Sequence, residues 1–265
     1  MKKLLNAFRF LTIIPIPGAE HADLSEAGKS AAFFPIVGLV IGFLCAIVFR
    51  AAGLLWSAPV AAAATVVCWV LLTAGLHIDG LADLADGIGG GWDVESRLRI
   101  MKDSAIGTYG ALSVVILLLL KTVFIYELAS SAGFWPAFAV ILFIPSGARL
   151  AQVLSIRVFA PAKKEGFGAA FKNGVGTGDT VSAGLIAGLS AAVLWGPYGL
   201  IVPAVGCVFA LMSGWWVSRR LGGLNGDSYG AICELSELFL LILLNILSPV
   251  PAPWIQTVAG MLQGG

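Results

Sequence analysis

The chain has 265 residues, of which 58% are hydrophobic and only 12% are charged. A soluble globular domain carries about 25% charged residues, so this composition excludes an ordinary soluble protein and indicates a polytopic membrane protein. The formal net charge is +1, and no basic run is interleaved with aromatic residues, so the sequence gives no indication of nucleic-acid binding.

The first predicted element is a short N-terminal helix. Asn6 and Arg9 interrupt its apolar stretch, and prolines follow at Pro15 and Pro17. Because a secretory signal peptide has an uninterrupted apolar core, the pattern instead predicts a helix that lies at the membrane interface and ends near Pro15.

Seven apolar runs follow, each close to the roughly 20 residues that cross a bilayer as a helix. They cover residues 31–49, 56–78, 107–127, 135–157, 181–197, 199–217 and 235–250, and a last apolar piece, 252–262, is too short to span. A tight turn at Gly196–Gly199 favours a hairpin of two spans. The sequence therefore predicts an all-α, polytopic membrane bundle of about seven transmembrane helices with an N-terminal interfacial helix. We expect a single integral membrane domain over residues 1–265.

The four cysteines and two histidines show no metal-site pattern. We expect free thiols that pack as small hydrophobic side chains, and no zinc site. The cysteines are Cys45, Cys68, Cys207 and Cys233.

Charged residues are distributed unevenly between the segments that connect the spans. Thirteen of the 16 Lys and Arg lie in or at the edge of segments 1–30, 79–106, 158–180 and 218–234. By the positive-inside rule these segments and the N-terminus face the cytoplasm, which predicts a multi-pass protein of the cell inner membrane. Nearly all Asp and Glu lie on the same side. Since acidic residues do not set topology, we interpret this second asymmetry as an active face toward the cytoplasm.

The most informative motif is the segment His77–Gly87, at the end of an apolar run. It contains three aspartates, Asp79, Asp83 and Asp86. On a helix their side chains fall within an arc of about 60°. Such crowded carboxylates repel each other, and a hard divalent cation such as Mg²⁺ removes the repulsion. The alternative is a solvated acidic helix end. We interpret His77, which would face away from the aspartates, as a helix-packing or supporting residue.

Glycines and basic residues follow this motif. The cluster Gly87–Gly91 lets the backbone approach a ligand closely, or is only a flexible loop. Arg97, Arg99 and Lys102 offer donors for phosphate oxygens, or anchor the loop at the membrane face. Asp103 follows next along the chain and has two interpretations. It binds a metal, or else Asp103 or Ser104 caps the following helix.

Two later segments carry further candidates. Loop 160–174 combines basic residues and glycines that suit a phosphate. Asp227, Glu234 and Glu237 share one face if their segment is helical. Carboxylates at the start of an apolar span are costly and usually functional, the alternative being a favourable interaction with a helix N-terminus.

Two basic residues lie inside predicted spans, where a central charge costs about 2.5–3.5 kcal/mol on insertion scales. Lys121 either extends to the interface or serves a function in the bundle, and we expect Arg149 to face the bundle interior.

These candidates together suit phosphoryl transfer, in which catalysis is mostly positioning and charge neutralisation. The carboxylates would bind a cation, the basic residues would bind phosphates, and the glycines would allow close approach. A cation transporter is the non-enzymatic alternative, although transport sites tend to lie nearer the bilayer midplane.

With these motifs the chain resembles the cobalamin synthase family, the adenosylcobinamide-GDP ribazoletransferases. The His77–Gly87 and Ile100–Gly110 pieces together are the most specific part of the resemblance. The matching pieces run through almost the whole chain: Phe10–Pro17, Phe34–Gly38, His77–Gly87, Ile100–Ser104, Ile106–Gly110, Gly166–Gly168 and Gly226–Glu237.

The resemblance implies a Mg²⁺-dependent transferase of late cobalamin biosynthesis in the inner membrane, surrounded by lipid. It would join adenosylcobinamide-GDP to α-ribazole, or to α-ribazole 5′-phosphate, and release GMP. A homo-oligomer or an association with other late-pathway enzymes is compatible with this expectation.

The residue patterns and the resemblance together give three sets of candidate site residues. The metal-ligand candidates are Asp79, Asp83, Asp86 and Asp227. The candidates for catalysis are Asp83, Asp103, Glu234 and Glu237. The candidates for phosphate contacts are Lys102, Arg97, Arg99, Gly87 and Gly107.

The chain departs from the family pattern at a few positions. Ala105 stands where Arg is common, Asn225 stands where Thr is common, and Lys163-Lys164 replaces an Arg-containing variant. A lipid-synthesising CDP-alcohol phosphotransferase, which also carries a row of aspartates, is the alternative enzyme. Its pattern has Arg at the position of Asp83, which argues against it.

The charge distribution predicts the topology directly. A reporter fused near Ser131 should read periplasmic, and one fused near Gly91 should read cytoplasmic, because the basic segments stay on the cytoplasmic side. Alkaline phosphatase and fluorescent-protein fusions measure this, and the opposite pattern would overturn the layout.

Overall fold

The computed structural model describes residues 2–16 and 28–247. Over these residues the fold is helical, and no β-strand is present within them. The helices are α1 (Lys2–Leu11), α2 (Phe34–Leu55), α3 (Ala58–Leu72), α4 (Leu76–Gly90), α5 (Val94–Ile100), α6 (Thr108–Ala132), α7 (Phe134–Val158), α8 (Phe167–Gly174), α9 (Thr177–Trp195), α10 (Ile201–Leu221) and α11 (Gly226–Leu247). Short 3₁₀ turns, Ala31–Phe33 and Pro197–Leu200, precede α2 and α10.

The predicted all-α membrane bundle is confirmed. Six helices are long and apolar enough to cross a membrane, namely α2, α6, α7, α9, α10 and α11, and the pair α3 and α4 makes up to seven. The turn at Gly196 also matches the prediction, with a φ of 73° at this glycine. The N-terminal helix ends at Leu11, earlier than the predicted Pro15. The apolar piece 252–262 lies outside the described residues.

The predicted continuous span 56–78 is wrong, because the helix breaks before its end. Ala74 and Gly75 adopt consecutive positive φ angles of 51° and 66°, which an α-helix does not accommodate. The helix axis turns by 90° between α3 and α4. This bend directs the aspartate-bearing helix away from the direction of the span before it.

Helix α7 forms the centre of the bundle, with 83% of its most apolar window buried. Glycines on α2 allow the two backbones to approach closely, as small residues do in membrane bundles. A Cβ at Gly38 would lie 2.5 Å from the carbonyl oxygen of Pro145, and one at Gly42 would meet the Leu142 carbonyl. The two helices therefore pack backbone against backbone.

Four charged side chains form a buried network between α6, α7 and α11. The Lys121 Nζ lies 2.5 Å from a carboxylate oxygen of Glu234 and 2.5 Å from one of Glu237. Arg149 donates to the other oxygen of Glu237. All four residues are at most 3% exposed. The prediction that Arg149 faces the bundle interior is confirmed, and Lys121 does not extend to the interface but is paired inside.

All four cysteines are free, as expected. The sequence did not indicate that two of them meet, but the thiols of Cys45 on α2 and Cys68 on α3 lie in hydrogen-bonding contact. The other two cysteines are on α10 and α11.

The network gives a stability prediction. Removing one partner of a buried ion pair leaves an uncompensated charge and costs about 3–5 kcal/mol, so Arg149→Met should lower the thermal denaturation midpoint of the purified protein in detergent strongly. Arg157→Met, on the exposed end of the same helix, is the matched control and should change stability by about 0.5 kcal/mol or less. Equal effects of the two substitutions would contradict this role.

Candidate active site

Two helices bring the carboxylates of the site together. Asp79, Asp83 and Asp86 all lie on α4, as predicted, and Asp227 lies in the first turn of α11. The helices touch at Gly80, where a Cβ would lie 2.7 Å from the carbonyl oxygen of Asp227. Only glycine permits this approach, which places Asp227 beside the aspartates of α4.

The resulting cluster is negatively charged. Asp227, Asp79 and Asp86 each exert an electrostatic repulsion on Asp83, and Asp227 also interacts with Asp79. In the described part of the chain, no three His, Cys, Asp or Glu side chains are gathered tightly enough to hold a metal ion by themselves. Mg²⁺ is usually bound by one or two carboxylates together with waters and substrate phosphates, and this oxygen-only donor set fits such an ion. The metal site stays a prediction.

Asp86 has a structural task. Its two carboxylate oxygens accept the backbone N–H groups of Gly107 and Gly110, at 2.7 and 2.8 Å. These are free amides at the start of α6, so Asp86 caps that helix from a distance. The expectation that Asp103 or Ser104 caps it is wrong, because both precede the helix start at Thr108 by several residues.

A pocket of about 470 Å³ opens next to the cluster and brings opposite charges together. Asp79 and Asp227 line it, and so do Lys102 and Lys163. The two lysines come from separate loops, and contact with Lys102 lowers the pKa of Lys163. The two ammonium groups suit an anion, and the two carboxylates suit a cation bound with it.

A short backbone bridge holds Lys163 in position. Ala162 donates its N–H to the Leu224 carbonyl at 2.8 Å, and Leu224 donates to the Ala160 carbonyl at 2.9 Å. Because Leu224 lies two residues before the start of α11, this bridge fixes the loop after α7 next to Asp227.

Asn225 orients Asp227. Its amide donates to a carboxylate oxygen of Asp227 at 3.0 Å, and its carbonyl oxygen accepts from the N–H and the hydroxyl of Ser228. Asn225 therefore caps the start of α11 and holds the carboxylate at the same time.

Several predicted phosphate contacts do not reach the pocket. The guanidinium of Arg97 donates to backbone carbonyls of Gly91, Trp92 and Arg220, so it ties the loop after α4 to the end of α10. Arg99 is exposed and does not line the pocket. Of the three predicted basic residues, only Lys102 lines it.

The two predicted glycines have packing roles. A Cβ at Gly87 would lie 2.5 Å from Cγ of Met101, and one at Gly107 would overlap the Asp86 carboxylate. Asp103 is exposed and accepts the N–H of Ala105 within its own loop, at 3.0 Å. Neither glycine lines the pocket, and nor does Asp103.

Glu234 and Glu237 also lie away from the pocket, in the buried network with Lys121 and Arg149. The geometry argues against their predicted catalytic role, since both carboxylates are already neutralised by cations. The alternative of a charge–dipole interaction at the helix N-terminus is wrong, because α11 begins at Gly226 and both glutamates lie more than a turn inside it.

Sequence reasoning missed part of the pocket wall. Phe10, Phe171, Gln152 and Tyr229 line it together with His77. The amide nitrogen of Gln152 lies 3.1 Å from Nε2 of His77. A polar Gln inside an apolar span was an available signal, whereas the aromatic residues look like ordinary core side chains in the sequence.

Comparisons with known proteins identify the family of the chain. The model of the cobalamin-5-phosphate synthase family matches residues 3–245. The chain belongs to this family. It is similar to proteins named adenosylcobinamide-GDP ribazoletransferase: 39% identical to one from Roseiflexus sp. (strain RS-1), over 92% of this chain and 90% of the relative. It is 38% identical to one from Herpetosiphon aurantiacus, over 91% and 95%, and 36% identical to one from Brevibacillus brevis, over 92% and 98%. No solved structure matches the chain.

Family membership makes the protein a transferase of cobalamin biosynthesis and a multi-pass membrane protein. The resemblance in the motifs is thereby confirmed. Membership decides against the lipid phosphotransferase and the cation transporter.

The contact at Gly80 yields a prediction about the site. Gly80→Ala should push α11 away from α4, since its Cβ would meet backbone and not a movable side chain. Overpacking of this kind costs about 1–3 kcal/mol, and we expect insertion to persist while activity drops at least tenfold, a ratio that corresponds to about 1.4 kcal/mol. Gly184→Ala on α9, where a Cβ meets open space, is the control. Full activity of Gly80→Ala would refute the importance of this contact.

Proposed function

We propose that this enzyme joins adenosylcobinamide-GDP to α-ribazole, or to α-ribazole 5′-phosphate, and releases GMP. The names of its relatives support this reaction. The observation that carries the proposal is the pocket itself, because it presents Asp79 and Asp227 together with Lys102 and Lys163. A diphosphate bound with a divalent cation needs both kinds of side chain.

In this proposal the carboxylates of Asp79, Asp83 and Asp227 would hold Mg²⁺. Asp86 was predicted as a ligand too, but its oxygens already accept two backbone N–H groups. We therefore assign Asp86 to positioning α4 against α6. When bound, Mg²⁺ would supply neutralisation of the negative charge on the diphosphate and on the leaving GMP.

The remaining roles fall to side chains of the pocket. Lys102 and Lys163 bind phosphate oxygens of the diphosphate. Asp79 or Asp227 accepts the proton of the attacking ribose hydroxyl, since these two carboxylates line the pocket. The hydroxyl oxygen forms a bond to the phosphorus attached to cobinamide, the bond from that phosphorus to the GMP oxygen breaks, and GMP leaves with the electron pair.

The enzyme would lie in the cell inner membrane with this pocket toward the cytoplasm. The basic residues of the pocket side support that orientation through the positive-inside rule. Lipid would surround the exposed apolar side chains of the outer helices, such as Leu119, Leu189 and Met212.

The test is an assay of the purified protein in detergent with Mg²⁺, adenosylcobinamide-GDP and α-ribazole. We expect a new corrinoid product and GMP in equal amounts. Parallel reactions with α-ribazole 5′-phosphate identify the better acceptor, and reactions with a CDP-activated lipid should give no nucleotide. Absence of GMP with both acceptors would reject the proposal.

Substitution of the central carboxylate gives a sharper prediction. Asp83→Asn should lose nearly all GMP release, more than the roughly 10–100-fold loss seen when supporting groups of metal sites are removed. Asp93→Asn is the matched control. Asp93 is exposed and caps α5 by accepting the N–H of Ser96, a task that Asn also performs. Near-normal turnover of Asp83→Asn, with insertion unchanged, would contradict the metal-ligand assignment.

A further inference from the structure

The wall of the pocket divides into a charged part and an uncharged part. The charged part consists of the paired lysines, the two aspartates described above and Glu165. The uncharged part contains Phe10 of α1 and Phe171 of α8, whose ring centroids lie 5.0 Å apart. Leu98 and Ile156 add aliphatic surface to it. The proposed reaction uses only the charged part, so the uncharged part needs an explanation of its own.

The size of the pocket limits what it can hold. A volume of about 470 Å³ lies in the lower half of the range for small-molecule sites, about 300–1,000 Å³. A nucleoside fits such a space, but a corrin ring with its amide side chains does not. A nucleoside therefore matches the size of this pocket, and the larger corrin would extend beyond it.

Three uncharged polar side chains belong to the same wall. His77, Gln152 and Tyr229 are each 3% exposed. Within the described chain, Nδ1 of His77, Oε1 of Gln152 and the Tyr229 hydroxyl have no hydrogen-bond partner. Buried polar atoms normally have one. The amide of Gln152 donates to Nε2 of His77, which leaves the ring proton on Nδ1. The wall thus offers a small number of hydrogen bonds beside a largely apolar surface.

This chemistry distinguishes between the two nucleosides of the reaction. Guanine has donors and acceptors on several edges, and an apolar wall would leave most of them unpaired, which is costly. The other nucleoside is α-ribazole, whose base, an alkyl-substituted benzimidazole, has apolar edges and one basic ring nitrogen. Phenyl rings, aliphatic side chains and a few uncharged polar groups match the benzimidazole.

We infer that the wall formed by Phe10, Phe171, His77, Gln152 and Tyr229 binds the apolar heteroaromatic base of the acceptor nucleoside. This inference rests on the proposed function and adds the site of one substrate to it. With the base held there, the acceptor's ribose hydroxyl lies toward Asp79 and Asp227, and the diphosphate of the other substrate lies against the two lysines.

The test measures KM separately for each of the two substrates. Phe171→Leu removes a ring and keeps apolar volume, and Tyr229→Phe removes only a hydroxyl. Each should raise KM for α-ribazole, by about tenfold for Phe171→Leu, with KM for adenosylcobinamide-GDP unchanged. Phe209→Leu is the matched control, because Phe209 stacks on Phe239 on other helices, and it should change neither constant. Riboside acceptors give a second readout: the purine riboside should have a higher KM than the benzimidazole riboside.

Each other outcome overturns the inference. A rise in KM for adenosylcobinamide-GDP alone would place the guanosine in this wall. Unchanged constants in both variants, or equal KM values for the purine and benzimidazole ribosides, would place the base elsewhere. If Phe171→Leu fails to fold, Tyr229→Phe and the acceptor series decide. Absence of GMP release by the unaltered enzyme would instead reject the proposed function, and this inference with it.

Discussion

The contact between Gly80 and the backbone of Asp227 is the constraint on which the site depends. It lets α4 and α11 meet without intervening side chains, so that carboxylates from two distant parts of the chain share one volume. Each helix is held separately. Asp86 ties α4 to the start of α6, and Asn225 together with the bridge at Leu224 fixes the first turn of α11. The repulsion between the aspartates is thus opposed by packing and capping elsewhere.

The molecule contains two groups of acidic residues, which differ in whether cationic side chains neutralise their charge. Glu234 and Glu237 are buried and paired with Lys121 and Arg149, so their charges cancel inside the bundle. Asp79 and Asp227 lie in the pocket, where Asp79 is exposed and Asp227 is held by a neutral amide. An acidic group whose charge is cancelled locally has a structural role, whereas one left uncompensated at a pocket has affinity for a cation.

Much of the fold follows from the sequence, because long apolar runs and basic loops can be arranged across a membrane in only a few ways. The aspartates of α4 were also predictable, since their spacing alone places them on one helix face. The roles of Glu234 and Glu237 were not, because the spacing of two glutamates does not reveal the cations opposite them. The cap formed by Asp86 joins residues more than 20 positions apart, and local patterns do not contain such pairings.

The pocket draws on both ends of the described chain. Phe10 comes from the first helix and Tyr229 from the last, with Gln152 contributed from the middle. A partly synthesised polypeptide lacks the wall supplied by α11, however well its earlier spans have inserted. Ligand recognition can therefore begin only once translation has delivered α11 and the bundle has closed around it.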